Sequence, residues 1–435
     1  MIQRKYLWIL LVIIGLTACA PASGTPLAAT TTFASTIARP EGQEVVLWHS
    51  YEGALREALL AQIDEFNATN PWHIVVVPEY HGDTKQLASD LETAVKAGAG
   101  PDLVIRNPSD VWGLSDAVVP VQQYVTDARF GLTADDLKDI YPAMLDMARD
   151  PKDEKLISFP LGGEGVVMVY NTDSLARQNY FTPPNSWPLF KEICEAMTRD
   201  VTGDNRVDVF GFGFNPRADF ATAWLNSRGG SIVSDDGMHT TFNSEEGVRT
   251  LTTLQDTAKS GCFLRSGADA IKDFARGKVA MIFAQTTQLP EIFNAIEGRF
   301  RWNVSPVPYG KRDPSLTISG PSWVMLKSTP AKQLASWLFI RWFAETPQTV
   351  RWSQLTGLLP LRKSAGQGLA DVFATNAGLK VAFDLLSVAR AQPDIPQWAA
   401  IAELLVHAVN SSVQGNDPGQ ALNDAAHSAD NLLIQ

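Results

Sequence analysis

The stretch WHSYEG, Trp48 to Gly53, places several groups that could bind a polar ligand in one short turn. Ser50 and Glu52 can exchange hydrogen bonds with vicinal hydroxyls, and Tyr51 offers a flat face to the apolar side of a ring. Ser50 and Glu52 could instead cap a following helix. Both roles stay open for Ser50, whereas ligand contact is favoured for Glu52, because a cap does not need so many groups.

Polar side chains also follow other apolar segments. Arg106 and Asn107 come directly after PDLVI. Gln285 and Thr286 come directly after VAMIFA, and Glu164 stands between two glycines that allow close backbone approach. Because ligand chemistry in α/β proteins gathers at the carboxyl ends of strands, the residues that follow PDLVI and VAMIFA are candidate ligand contacts, and Glu164 is a further candidate. Arg106 could equally form a structural salt bridge, and Glu164 could be a surface acid in a turn.

The elements that must position these residues alternate between strand and helix patterns. Short apolar runs predict strands at 44–50, 73–80, 101–106, 209–215, 278–284 and 322–327, and a second set of strands and helices begins near 155–171. Apolar residues at three- and four-residue spacing predict helices at 54–66, 84–97, 244–260, 331–345, 401–413 and 418–433. This alternation is typical of an α/β fold with mostly parallel, doubly wound sheets flanked by helices.

Length and charge limit the class of protein. The 435 residues exceed what one hydrophobic core usually holds, so we expect two lobes. The formal charge is −11 and no basic cluster is present, which argues against a nucleic-acid partner. The acids over Asp200–Asp208 hint at calcium but lack the ligand order of an EF-hand, so we predict no metal and no cofactor.

Cys194 and Cys262 follow a single N-terminal cysteine. They could pair outside the cytoplasm, but the sequence does not give their separation in space. Cys194 lies in an apolar helical pattern, as buried free thiols commonly do. We slightly favour two free thiols and leave a disulfide open.

The N-terminus carries a targeting pattern. Arg4 and Lys5 precede an apolar run, Tyr6–Leu16, that is shorter than the about 20 residues needed to span a bilayer. Small residues then lead to Cys19 in LTAC, which resembles a bacterial lipobox and implies cleavage before Cys19 (signal peptide 1–18) and its lipidation. An ordinary signal peptide with an incidental cysteine is the alternative. Residues 19–43, rich in Ala, Thr, Ser and Pro, predict a flexible tether that reaches roughly 25–30 Å.

Motifs over nearly the whole chain resemble those of a known family. In order they are LWHSYEG with EFNATNP, GPDLVI, ISFPLGGEGVVMVYNTDSL, TPPNSWPLFKEICEAM, WLNSRGGSIVSDDG, FARGKVAMIF, TGLLPLRKS and DIPQW. Together they are similar to the extracellular solute-binding proteins of ABC importers. The resemblance is to the carbohydrate-binding group that includes the maltose- and glycerol-3-phosphate-binding proteins.

The resemblance implies a periplasmic-binding-protein fold, in which two α/β lobes hold a ligand in the cleft between them. The segments of the two lobes are expected at 44–159 plus 324–377 and at 160–323 plus 378–435. Pro160, Leu161 and the turn Ser319–Pro321 are expected hinge positions, because residues at the ends of elements absorb the rotation when such lobes close.

The resemblance also implies which residues contact the ligand. Besides the turn and strand-end residues above, the expected cleft residues are Trp224, Ser322, Trp323, Arg390, Gln392 and Trp398. Trp398 is the preferred stacking residue and Trp323 the next, whereas Trp224 is equally compatible with core packing. A cation at Arg106 departs from the maltodextrin-binding type and suggests another hydroxyl pattern or an anionic substituent.

The implied function is capture of a sugar or oligosaccharide by hinge closure and its delivery to a membrane permease, without catalysis. A glycerol-3-phosphate or glycerophosphodiester ligand is the alternative, because WHSYEG resembles the turn of that binder and Arg106 or Arg390 could pair with phosphate. A glycoside hydrolase that uses Glu52 and Glu164 is a remote alternative. We expect a monomer outside the cytoplasm, in the periplasm or on the cell surface, held to the membrane by its lipid alone.

Overall fold

The structure is a computed structural model that describes residues 38–114, 116–310, 314–395 and 397–433. The predicted signal peptide, Cys19 and the tether up to residue 37 lie outside the described residues. Among the described helices, none combines the length and apolarity needed to cross a bilayer.

The described strands form two sheets, one in each lobe. In chain order the strands are Glu44–His49 (β1), Val75–Tyr80 (β2), Leu103–Arg106 (β3), Phe159–Pro160 (β4), Glu164–Asn171 (β5), Phe210–Gly213 (β6), Phe263–Leu264 (β7), Val279–Gln285 (β8), Trp302–Ser305 (β9), Leu316–Ser319 (β10), Ser322–Met325 (β11) and Ala389–Ala391 (β12). The first sheet has the order β2-β1-β3-β11-β4. The second has the order β12-β10-β5-β8-β6-β7, with β9 paired to β5.

Helices cover both sheets. In chain order the α-helices are Gly53–Thr69 (α1), Thr84–Lys96 (α2), Gln122–Val125 (α3), Ala134–Asp139 (α4), Pro142–Asp146 (α5), Thr172–Arg177 (α6), Trp187–Met197 (α7), Ala218–Ser227 (α8), Glu245–Lys259 (α9), Ala270–Ala275 (α10), Leu289–Ile296 (α11), Pro330–Phe343 (α12), Thr346–Thr356 (α13), Ala365–Gly368 (α14), Ala370–Thr375 (α15), Ala377–Asp384 (α16), Trp398–Val413 (α17) and Pro418–Leu433 (α18). Short 3₁₀ helices lie at Pro108–Leu114, Gly267–Asp269, Thr286–Gln288 and Leu385–Val388.

The first lobe begins as the sequence pattern predicts. Helix α1 buries Leu59, Ile63 and Phe66 against the sheet, while Asp83 starts α2 by accepting hydrogen bonds from two backbone N–H groups. Strand β1 pairs in parallel with both β2 and β3, as the β-α-β-α-β order requires. The α/β prediction is confirmed.

Both sheets are mixed because strands arriving from the other lobe enter them antiparallel. Strand β11 pairs antiparallel with β3 and β4, and β5 pairs antiparallel with β8, β9 and β10. All of Ser322–Met325 belongs to the first sheet, so the second crossing precedes Ser322 instead of falling at the expected boundary between 323 and 324. Likewise Pro160 still pairs in the first sheet, and the second sheet starts at Glu164.

The two crossings touch each other at Gly320. A Cβ built at Gly320 would lie 2.4 Å from the carbonyl oxygen of Gly162. A side chain at this position would therefore push apart the two segments that connect the lobes.

Cys194 of α7 and Cys262, just before β7, form a disulfide. Both residues are fully buried in the core of the second lobe. The preference for two free thiols is wrong, because sequence spacing carried no information on whether these two segments meet.

The acids of the loop Asp200–Asp208 bind the loop's own backbone. Asp208 accepts hydrogen bonds from the N–H groups of Val201 and Thr202, and Asp200 from those of Gly203 and Asn205. The spacing that hinted at calcium is therefore explained by turn geometry.

Candidate ligand-binding cleft

A cavity of about 420 Å³ lies between the two lobes. The first lobe contributes the loop after β3 and Met147, and the second contributes the ends of β5 and β8, the start of α8 and the segment before α17. The described lining residues are Asn107, Pro108, Ser109, Asp110, Met147, Glu164, Arg217, Ala218, Asp219, Gln285, Ser319, Gly320, Gln392, Pro393, Asp394 and Trp398. Strand ends from both sheets thus converge on one space.

Glu164, the first residue of β5, lies half-buried in this cavity with its carboxylate held by two neighbours. Gln285 donates from Nε2 to one oxygen at 2.8 Å, and Thr287 donates from Oγ1 to the other at 2.7 Å. Burial raises the pKa of Glu164 and the charge of Asp219 adds to this rise, while the Thr287 hydrogen bond and Arg217 oppose it. These contacts fix the orientation of the carboxylate toward the cavity.

Arg217 and Asp219 form a bidentate ion pair at the start of α8. The Nε–Oδ1 and Nη2–Oδ2 distances are 2.9 and 3.0 Å. The guanidinium also lies over the ring of Phe220, 5.1 Å from its centroid. Since Asp219 already neutralises this cation, Arg217 offers the cavity planar donors without a net positive charge.

Asp394 lies in the wall of the cavity and is nine-tenths buried. Trp112 of the first lobe donates from Nε1 to Oδ1 of Asp394 at 3.3 Å, so this contact joins the two lobes. Oδ2 has no hydrogen-bond partner among the described residues. Burial raises the pKa of Asp394 to about 8, the Trp112 hydrogen bond opposes the rise, and the charges of Asp110 and Asp150 increase it. Burial therefore favours the protonated form of this side chain, which can donate a hydrogen bond.

The turn WHSYEG lies beside this cavity but outside its lining. Tyr51 is half-buried against Trp352, with ring centroids 5.9 Å apart, and its pKa is raised by burial and by the charge of Glu164. Glu52 makes no side-chain cap on α1 and instead accepts the hydroxyl of Tyr80. Ser50 remains half-buried at the end of β1.

His49, the imidazole of the same turn, has a structural role. It is 1% exposed, and its Nδ1 accepts the backbone N–H of Tyr51 at 3.1 Å. Burial lowers the pKa of His49 to about 4, with Arg56 and His81 adding to the effect. The ring is therefore a neutral structural acceptor that shapes the turn.

Trp398 is the predicted aromatic residue that the structure places in the cavity wall. Trp323 and Trp224 lie in the core instead, 1% and 0% exposed. Trp323 packs edge-on against Phe339 and Phe343, and Trp224 packs on Phe283. An apolar segment that is buried on all sides looks the same in the sequence as one that borders a cleft. Sequence position therefore could not tell which aromatic rings reach the cleft.

Several other residues predicted to contact ligand are instead buried or paired within the protein. Arg106 pairs with Asp110 at 3.0 Å, which is the salt-bridge alternative. Thr286 is buried and accepts the N–H of Gly165 at 3.1 Å, and Ser322 is fully buried within the first sheet. Of the fourteen predicted ligand contacts, the structure brings together in this cavity Asn107, Glu164, Gln285, Gln392 and Trp398.

The sequence prediction missed Asp110, Asp219 and Asp394. Asp394 lies inside the quoted motif DIPQW, and Asp219 precedes Trp224, so proximity to residues already chosen was the available signal. Their roles in the wall depend on how two lobes meet, which no local pattern encodes.

Comparison with known proteins places this geometry in a family. Residues 61–381 match the model described as bacterial extracellular solute-binding protein. The sn-glycerol-3-phosphate-binding periplasmic protein UgpB of Shigella dysenteriae serotype 1 is 25% identical over 336 residues, which cover 74% of this chain and 75% of that protein. The UgpB of Escherichia coli strain K12 matches with the same identity and coverage.

Solved structures share the fold at lower identity. The cyclic α-maltosyl-1,6-maltose binding protein from Arthrobacter globiformis superposes with a TM-score of 0.78 at 20% identity, covering 90% of this chain and 98% of that chain. UgpB from Mycobacterium tuberculosis, solved with glycerophosphocholine, gives a TM-score of 0.72 at 19% identity, with the same coverage. With a family model that spans most of its length and two lobes around a polar cleft, the chain belongs to the bacterial extracellular solute-binding proteins.

Proposed function

We propose that this protein is the substrate-binding component of an ABC importer and that it captures an uncharged carbohydrate by closing its two lobes. The observation that carries the proposal is the interlobe cavity, where carboxyls, amides and the indole of Trp398 line one space. A sugar needs hydrogen-bonding groups for its rim and an apolar face for its C–H bonds, and this lining supplies both. The solved maltose-type binder from Arthrobacter globiformis supports this class of ligand.

The charge of the cavity favours a neutral ligand over a phosphate. Four of the described lining residues carry carboxyls (Asp110, Glu164, Asp219 and Asp394), and the one cation among them, Arg217, is already paired. In this cavity a phosphate would have to approach several acids, and the described lining residues include no unpaired cation to bind it. sn-Glycerol-3-phosphate or a glycerophosphodiester stays the second candidate, because the curated relatives bear that name.

The proposal includes binding without turnover, and the position of Glu52 supports it against the glycoside hydrolase alternative. Glu52 is exposed, bonds to Tyr80 and lies outside the lining, so it does not oppose Glu164 across the cavity. The relatives are binding proteins, which supports the absence of a hydrolase activity. Delivery of the captured ligand to permease subunits and a monomeric state are part of this proposal.

A thermal-shift screen of mono- and oligosaccharides and phosphorylated glycerols tests the proposed ligand class. A sugar at 100 times its dissociation constant should add about 2.7 kcal/mol to the free energy of unfolding. Glu164→Gln should lower the affinity for that sugar about tenfold, because hydrogen bonds to a charged group contribute about 1.5–3 kcal/mol. Calorimetry measures this affinity. Glu92→Gln, on the exposed face of α2, is the matched control and should bind normally. Stabilisation by glycerol-3-phosphate and by no sugar would contradict the carbohydrate proposal.

We also propose that Cys19 carries a lipid that anchors the mature chain outside the cytoplasm. Wild-type protein should incorporate labelled palmitate and fractionate with membranes, whereas Cys19→Ser should do neither, because a single cysteine supplies the attachment point. Fractionation followed by autoradiography measures both. Label that persists in the variant would exclude Cys19 as the modified residue.

A further inference from the structure

A second cavity, of about 540 Å³, adjoins the first along the same interlobe cleft. The two cavities share Gln392, Pro393 and Asp394 as a common wall. The first lobe lines the second cavity with Asp146, Arg149, Asp150, Pro151 and Glu154, and the second lobe lines it with Asn226, Ser231–Asp235 and Arg390–Ile395. Each cavity is within the range of about 300–1,000 Å³ that small-molecule sites occupy, so the cleft has room for more than one ring.

The shared wall presents polar atoms that have no partner. Oδ2 of Asp394 and Oε1 of Gln392 are buried and make no hydrogen bond among the described residues. Leaving such groups unpaired costs about 1–3 kcal/mol each, so a ligand that forms hydrogen bonds with them gains binding free energy. Both atoms lie at the junction, where a ligand that extends from one cavity to the other must pass.

The charges around Asp394 determine what it can bind. The charged residues that line the two cavities with it are Asp110, Asp146, Arg149, Asp150, Glu154, Glu164, Arg217, Asp219, Asp235 and Arg390. Carboxyls outnumber guanidiniums on both sides of the wall, and Asp110 and Asp150 of the first lobe act directly on Asp394. An ionised Asp394 would add a further negative charge to this surface, whereas a protonated one donates from Oδ2 to a ligand oxygen.

We infer that the two cavities form one extended site for an uncharged oligosaccharide of at least two rings, and that Asp394 contacts the ligand at the junction as a protonated hydrogen-bond donor. This inference rests on the proposed carbohydrate-binding function and adds the length of the ligand and a specificity-determining residue. Asp394 also joins the two lobes, since Trp112 of the opposite lobe donates to its other oxygen, Oδ1.

Calorimetry with oligosaccharides and their constituent monosaccharides tests the length. The di- or trisaccharide that the screen identifies should bind at least tenfold more tightly than its monosaccharide. Ser231→Trp, an exposed position that lines the second cavity alone, should remove that difference by filling the second cavity and leave monosaccharide binding unchanged. The extended site would be wrong if wild-type protein bound the monosaccharide as tightly as the oligosaccharide, or if Ser231→Trp bound the oligosaccharide as tightly as wild type does. Either result would leave the proposed carbohydrate binding intact. No binding of any sugar would overturn the proposed function itself.

A pH series with Asp394→Asn tests the donor. The asparagine keeps an acceptor for Trp112 and an N–H donor toward the ligand but cannot ionise. Wild-type affinity should be nearly constant below about pH 7, fall about twofold by pH 8 and about tenfold by pH 9, because the raised pKa of about 8 makes the protonated, binding form scarce above that value. Asp394→Asn should bind within about threefold of wild type at pH 7 and show no such fall. A variant that keeps the wild-type pH profile, or a folded Asp394→Ala with unchanged affinity, would overturn the role of Asp394.

Discussion

Replacing Cys194 and Cys262 together with alanine is expected to lower the free energy of unfolding by about 4 kcal/mol, since a cross-link of this span mainly restricts the unfolded chain. The two cysteines are 68 residues apart in sequence and tie α7 to the segment before β7. Without the cross-link the unfolded second lobe gains conformations, while the folded contacts of the buried core change little. Urea denaturation followed by tryptophan fluorescence measures the difference.

Reduced wild-type protein separates the cross-link from the packing of the two sulfurs. It keeps every atom of the side chains and loses the covalent bond, so it should lose most of the same stability. If the double alanine variant and the reduced protein both unfold within 1 kcal/mol of the oxidised wild type, the disulfide does not stabilise this lobe. Such a bond also requires an oxidising compartment, which agrees with a protein that works outside the cytoplasm.

Trp398→Ala should weaken binding of the sugar found in the screen by 30-fold or more, because an aromatic anchor in a binding pocket typically contributes at least about 2 kcal/mol. Trp398 lies in the wall of the first cavity at the start of α17. It is also 8% exposed and packs on the core of the second lobe, so its truncation costs stability as well as affinity. Calorimetry below the melting temperature of the variant measures the affinity of the folded protein.

Trp224→Ala is the matched control for this prediction. Trp224 belongs to the same core cluster and is fully buried, but it does not line the cavity. It should lose comparable stability, about 3–5 kcal/mol, while its folded fraction keeps the wild-type affinity. Equal losses of affinity in both variants would show that Trp398 acts through the core and not as a ligand contact.

The turn at Trp48–Gly53 shows where local reasoning reached its limit. Its residue types predicted a ligand-contacting loop, and the structure places it beside the cavity with Tyr51 close enough for the charge of Glu164 to affect its pKa. Its polar groups are nevertheless used within the protein, since Glu52 accepts from Tyr80 and His49 holds the backbone of the turn. Whether a polar group near a strand end is free for ligand depends on neighbours brought by other segments.

What the sequence by itself determined is the alternation of elements and the positions of strand ends. Hydrophobic periodicity predicts the α/β class, the chain length predicts two lobes, and the strand-end rule marks Asn107 and Gln285 as candidates at the ends of their own strands. These features follow from contacts within one β-α unit, because burial of an apolar face dictates the local pattern.

What only the tertiary structure decided is everything that needs two distant segments to meet. The Cys194–Cys262 bond, the core positions of Trp224 and Trp323, and the site of Asp394 between the lobes all depend on packing across long sequence separations. The same indole is a core residue or a cleft wall according to what covers it, and the same carboxyl is ionised or protonated according to how much water and charge surround it. A residue's type limits the chemistry it can perform, and its surroundings in the folded chain select which of those roles it takes.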